Sequence, residues 1–140
     1  MSVYVVDASV AAKWFIEEPD AEAALRLVTE QHELHAPDCF VLEMDSVLCK
    51  WLRRGVIADA DADAMRTALG RVPIETHPFD PLRDSAYSLA RGTGRGVYDC
   101  LYLALAASLV AQMVTADRRL YDAVASGPFG GYIVWIGDVQ

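Results

Sequence analysis

Two short runs in this chain each stop on an aspartate. Residues 3–6 (VYVV) lead into Asp7, and residues 112–116 (QMVTA) lead into Asp117. Both are brief, largely apolar and rich in β-branched or aromatic residues, so they read as buried strands. The segments between them carry helical spacing. Residues 8–17 place Val10, Lys13, Trp14 and Phe15 on helical repeats until Pro19, and a second helix starts at Asp20. Residues 39–54 make a longer helix closed by Gly55, and residues 58–69 make another whose acidic first turn suits the helix dipole. Residues 81–91 are helical until Gly92-Thr93-Gly94-Arg95-Gly96 interrupts them, residues 98–110 form a strongly apolar and central helix, and 117–125 form the last. Extended pieces fall at 35–37, 73–78 and 132–136. Strands alternating with helices predict an α/β fold with a short, mostly parallel central sheet. With 140 residues and no linker, repeat or low-complexity tract, the chain reads as a single domain, 1–140.

Composition removes several classes. A hydrophobic fraction of 54% with 23% charged residues is globular and not disordered. No apolar run reaches the roughly 18 residues of a membrane span. The N-terminus lacks a basic region and meets an aspartate early, so it reads as a first strand and not as a signal peptide. Cys39, Cys49 and Cys100 are odd in number, lack CxxC spacing and sit among apolar residues. They are expected as small core side chains in a reducing compartment, the cytoplasm. The net charge of -8 argues against a general nucleic-acid binder. It suits a basic protein partner, and acid gathered in one pocket would suit a divalent cation.

Four acids stand out by position. In parallel α/β sheets, sites form at the carboxyl ends of strands. Asp7 and Asp117 each close a strand, and Asp99 sits in the first turn of the most apolar helix. Each also stands where an aspartate commonly caps a helix. Glu43 is harder to explain as a surface residue, because Phe40 and Val47, one turn to either side, are apolar. Carboxylates gathered in one pocket repel each other and raise each other's pKa; a hard cation such as Mg²⁺ resolves that conflict with oxygen ligands.

The segments Val5-Val6-Asp7-Ala8-Ser9, Glu43 on a mid-chain helix, Val97-Tyr98-Asp99-Cys100-Leu101-Tyr102-Leu103-Ala104 and Val114-Thr115-Ala116-Asp117-Arg118-Arg119-Leu120 resemble the four signature segments of PIN-domain ribonucleases. Within that family the chain is most similar to the VapC toxins of type II toxin–antitoxin pairs, essentially from end to end. The resemblance implies a three-layer α/β/α sandwich, Mg²⁺- or Mn²⁺-dependent cleavage of RNA phosphodiesters, a homodimer, and inhibition by a cognate antitoxin. It puts Asp7, Glu43, Asp99 and Asp117 on the family's acidic positions. Asp7 and Asp99 are expected as direct ligands, with Glu43 and Asp117 binding a second ion or ordering water around the first. Ser9 falls where a small polar residue supports the first Asp, and Thr115 and Ser46 are expected as supporting groups. Ser46 is a departure, since the family commonly has Asn there.

Phosphate contact has to come from local bases. Lys13, Arg95, Arg118 and Arg119 are the weak candidates, each with solvated surface charge as its plainer reading. Arg53 and Arg54 read as complements to a helix C-terminus. Asp59, Asp61 and Asp63 lack the glycine and the distal glutamate of a calcium loop, and the glycine run at 92–96 follows a helix where a nucleotide loop would follow a strand. His32, His35 and His77 have no Cys or His partner at metal-ligand spacing, which argues against zinc. No GxSxG motif supports serine catalysis. The alternative function is a catalytically inactive PIN-like domain that binds RNA or protein. A phosphotransfer receiver ranks lower, for lack of adjacent acids after the first strand.

Overall fold

The computed structural model describes residues 2–29 and 31–139. Five strands form one sheet: β1 (Ser2–Val6), β2 (His32–Pro37), β3 (Ile74–His77), β4 (Gln112–Thr115) and β5 (Ile133–Trp135), in the order β3-β2-β1-β4-β5. Every pairing is parallel. Consecutive residues Val5 and Val6 of β1 are both fully buried, as are Met113 and Val114 of β4. Adjacent strand residues point to opposite faces, so both faces of the sheet centre are covered, which is the three-layer arrangement expected.

The covering helices are α1 (Ala8–Ala12), α2 (Ala21–Thr29), α3 (Phe40–Arg53), α4 (Asp59–Leu69), α5 (Arg83–Thr93), α6 (Val97–Leu109) and α7 (Arg118–Ala125). α6 is the interior helix: residues 100–106 are all buried, and it packs on β1, β2 and β4 and against α5. Over that stretch it is apolar all round because it meets protein all round. Gly55 closes the α3 segment with a positive φ of 69°, a conformation glycine adopts without strain. α6 instead stops on Val110 at φ 52°, an uncommon left-handed state for a β-branched residue.

Three expectations need correction. The first helix ends at Ala12 and does not reach residue 17. Lys13, Trp14 and Phe15 tighten into successive three-residue turns, while the Trp14 indole donates to the Ala24 carbonyl at 2.8 Å and Lys13 Nζ donates to Pro19 O. These contacts fold the chain back onto α2. The extended piece at 35–37 is part of a six-residue strand whose polar start, His32-Glu33, hides it from an apolar-run search. Of the cysteines, Cys100 is buried, Cys39 half-buried, and Cys49 exposed and not in the core.

Candidate active site

The chain runs from β1 outward through β2 and β3, then returns to β4 on the other side of β1. The reversal falls between β1 and β4, and parallel sheets bind ligands beyond the strands' carboxyl ends at such a point. The pairing of Val6 with Val114 sets Asp7 beside Thr115. Asp7 Oδ1 accepts from Ser9 Oγ at 2.6 Å and from the Val10 N–H at 3.0 Å, and Oδ2 accepts from Thr115 Oγ1 at 3.3 Å. Thr115 Oγ1 in turn accepts from the Asp117 N–H at 3.1 Å, so one hydroxyl ties the two strand ends together. Asp117 caps α7, its Oδ1 accepting from the backbone of Arg119 and Leu120. Asp7 and Asp117 therefore each cap a helix while standing just past the carboxyl end of a strand.

The other two acids come from helices. Glu43 lies near the start of α3 and is half-buried; its Oε1 accepts from the Tyr102 hydroxyl at 3.0 Å and from the Cys39 thiol at 3.5 Å. Asp99 lies in the first turn of α6. The carboxylates share one electrostatic field. Burial pushes Asp7 up to about 6, against the bonds from Ser9, Val10 and Thr115, and the Asp99 charge adds to the rise. Glu43 is raised by burial, with Asp99 adding and the Tyr102 and Cys39 bonds opposing. Asp99 is raised by burial and by Asp117, and held back by Arg95. Asp99 is thus the common neighbour of the other three.

That donor set fits a hard divalent cation. Four carboxylates from four separate elements are linked electrostatically through Asp99, and hydrogen bonds hold the oxygens of three of them in place. Tyr102 and Cys39 are neighbours of Glu43 that sequence reasoning missed. Tyr102 lies three residues beyond Asp99, one helical turn, and that spacing was the available signal. The half-buried Cys39 thiol is pushed up to about 12, by burial and then by Glu43, so it stays protonated and donates.

Among the supporting residues, Ser9 and Thr115 sit on Asp7. Ser46 is exposed and makes no side-chain hydrogen bond to the acids among the described residues. Its neighbour Asp45 pairs with Arg66 at 2.8 Å. Arg95 lies close enough to Asp99 to lower its pKa. Arg119 is exposed beside Asp117. Arg118 stacks 3.9 Å over the Trp135 ring, and Lys13 is engaged by Glu18 and the Pro19 carbonyl. The histidine expectation is overturned in part. His35 and His77, 42 residues apart, meet across β2 and β3 together with Glu75, because strand pairing ignores sequence spacing.

The PIN domain family matches residues 4–125. "Ribonuclease VapC3" of Pyrobaculum aerophilum is 34% identical over 120 residues, covering 84% of this chain and 92% of that protein. The crystal structure of PAE2754 from Pyrobaculum aerophilum superposes with a TM-score of 0.71 at 24% identity, covering 97% of this chain and 85% of that one. A toxin–antitoxin complex from Klebsiella pneumoniae contains a chain of the same fold, with a TM-score of 0.64 at 14% identity, covering 99% of this chain and all of that one.

Proposed function

Because this chain belongs to the PIN-domain family, as a VapC-type ribonuclease of a toxin–antitoxin pair, we propose that Asp7, Glu43, Asp99 and Asp117 are the residues with which it cuts RNA. The observation that supports this reading is the electrostatic coupling of the four carboxylates, in which Asp99 raises Asp7 and Glu43 and is itself raised by Asp117. Asp7 and Asp99 would hold Mg²⁺ or Mn²⁺ directly, with Glu43 and Asp117 completing the cage through water or a second ion. When bound, the cation neutralises charge on the scissile phosphate and lowers the pKa of a nearby water.

The chain's own groups do the positioning. Ser9, the Val10 N–H and Thr115 fix both oxygens of Asp7, so its carboxylate need not reorganise as charge develops. Tyr102 holds Glu43. Arg95, beside Asp99, and the exposed Arg119 are the guanidinium groups best placed for RNA phosphate. Lys13 is committed to Glu18 and contributes less.

The partners follow from the surface. Val41 and Leu42 on α3, and Val97 and Tyr98 on α6, are exposed apolar residues within two positions of Glu43 and Asp99. A partner segment that covers them and offers a basic side chain to the acids would block the site; that is the antitoxin we propose, and the charge of -8 suits it. We propose a homodimer on the family's ground alone, testable by sedimentation. No helix among the described residues is long and apolar enough to cross a membrane. The three free thiols, one exposed, support a reducing cytoplasm.

The test is cleavage of a pool of structured RNAs by the purified, antitoxin-free protein with Mg²⁺, with Mn²⁺ and with EDTA, beside Asp99→Asn. Cutting that needs the metal and vanishes in the variant is expected. Equal cutting by the variant would overturn the assignment of the acids.

A further inference from the structure

A second set of donor atoms converges on the other half of the sheet. The register of β2 and β3 places His35 opposite Glu75 and Pro37 opposite His77. Side chains alternate along a strand, so Glu33 and His35 of β2 share a face with Glu75 and His77 of β3. His35 Nδ1 lies 2.8 Å from His77 Nε2 and 3.4 Å from Glu75 Oε2. The three donor atoms are all within 4.8 Å of one another.

The far side of His35 fixes its tautomer. Its Nε2 lies 2.7 Å from Glu33 Oε1, a carboxylate oxygen that can only accept. Nε2 therefore carries a proton, and Nδ1 faces His77 Nε2 and Glu75 Oε2. A proton between the two nitrogens joins His35 to His77, and the Glu75 oxygen stands beside them, 68% exposed. A cation among the three atoms satisfies all of them. A carboxylate behind a histidine, orienting the ring and raising its basicity, is the usual support of a metal-bound imidazole.

The frame around the cluster is firm. The His35 side chain is 4% exposed. Asp38, just past β2, donates its N–H to His77 O at 2.7 Å and accepts from the Phe79 N–H at 3.1 Å, which locks the ends of β2 and β3 together. Glu75 is 68% exposed on the edge strand, so an ion can enter and keep a water as a further ligand.

We propose that His35, Glu75 and His77 bind a transition-metal dication of the zinc class, at a site separate from the four acids. Two imidazole nitrogens and one carboxylate oxygen are a set that Zn²⁺ takes with an open fourth position, whereas Mg²⁺ prefers oxygen throughout. A tetrahedral ion spaces its ligand atoms by about 3.3 Å, so the observed 2.8 and 3.4 Å need only a small opening. The ion clips β3, a four-residue edge strand, to β2.

The experiment is Zn²⁺ titration of the full chain in saturating Mg²⁺, read by competition with a chromogenic chelator, beside His77→Gln, Glu33→Gln and Asp99→Asn. One equivalent bound by the parent and by Asp99→Asn is expected. His77→Gln, confirmed as folded by circular dichroism, should bind more than about 100-fold more weakly, and Glu33→Gln about 10-fold more weakly. Absence of Zn²⁺ uptake, uptake unchanged in His77→Gln, or uptake lost in Asp99→Asn would each overturn the proposal. Asp99→Asn also separates this site from the ribonuclease reading, since loss of cleavage there leaves the zinc result standing.

Discussion

The two halves of the sheet handle polar groups in opposite ways. At the ends of β1 and β4, Asp7 is buried and takes three hydrogen bonds, yet its pKa is still driven up to about 6. At the β2–β3 edge, His35 is equally buried, but its partners Glu33 and Glu75 stand half or more in water. The first region gathers like charges at the sheet centre, where burial outweighs the hydrogen bonds that oppose it. The second sets ring nitrogens beside exposed carboxylates at an edge, where solvent reaches the acids. A bound cation would relieve the like charges at the centre, whereas the edge cluster also stands as a structural clasp.

The strongest way to break this comparison is at the acids. Asp7→Asn or Asp99→Asn should lower Mg²⁺-dependent RNA cleavage by more than about 100-fold, measured as initial rates, because each removes a proposed metal ligand. If either variant keeps its rate, the acid cluster is not the reacting centre. Tyr102→Phe tests the support around Glu43 and should reduce the rate by about 10-fold. Its hydroxyl holds the Glu43 pKa down, so the acid limb of the pH–rate profile should also move to higher pH.

Stability against pH sharpens the contrast next. The ordinary value for the Asp7 carboxyl is 3.8 and its folded value is about 6. Between these values the folded chain holds a proton that the unfolded chain releases, so metal-free stability falls as pH rises through that window. Once both states are ionised, above about pH 6, the deficit is on the order of 2–3 kcal/mol. Urea unfolding in chelator at pH 4 and 7 should show this fall, Asp7→Asn should flatten it, and Mg²⁺ should offset it at pH 7. The subtlest test is amide exchange. Zn²⁺ should slow exchange in Ile74–His77 of β3 while leaving β1 and β4 unchanged, and Mg²⁺ should leave β3 unchanged.

The positions of the four acids were legible because their signals are local. A strand that ends on an aspartate at a helix start is visible in VYVVD and QMVTAD, and Glu43 stands out between Phe40 and Val47. The apolar run after Asp99 announced an interior helix, and α6 is one. Less visible was the turn that cuts α1 short, since it depends on Trp14 and Lys13 finding carbonyls of residues still to come. Ser46 looked well placed by spacing from Glu43, but a three-residue step on a half-exposed helix carried it to solvent.

By itself, the sequence determined the α/β class, the strand ends that carry Asp7 and Asp117, and the acid-bearing helices, because each follows from hydrophobic periodicity and the residue that ends it. Only the tertiary structure decided which side chains meet. Strand pairing brought His35 to His77 and Glu75, helix packing brought Tyr102 to Glu43, and the β1–β4 register brought Thr115 to Asp7. Those contacts span from 40 to 108 residues of chain. The physical reason is that periodicity tells a residue which face it occupies, while its neighbour across that face is set by the order and register of strands distant in sequence.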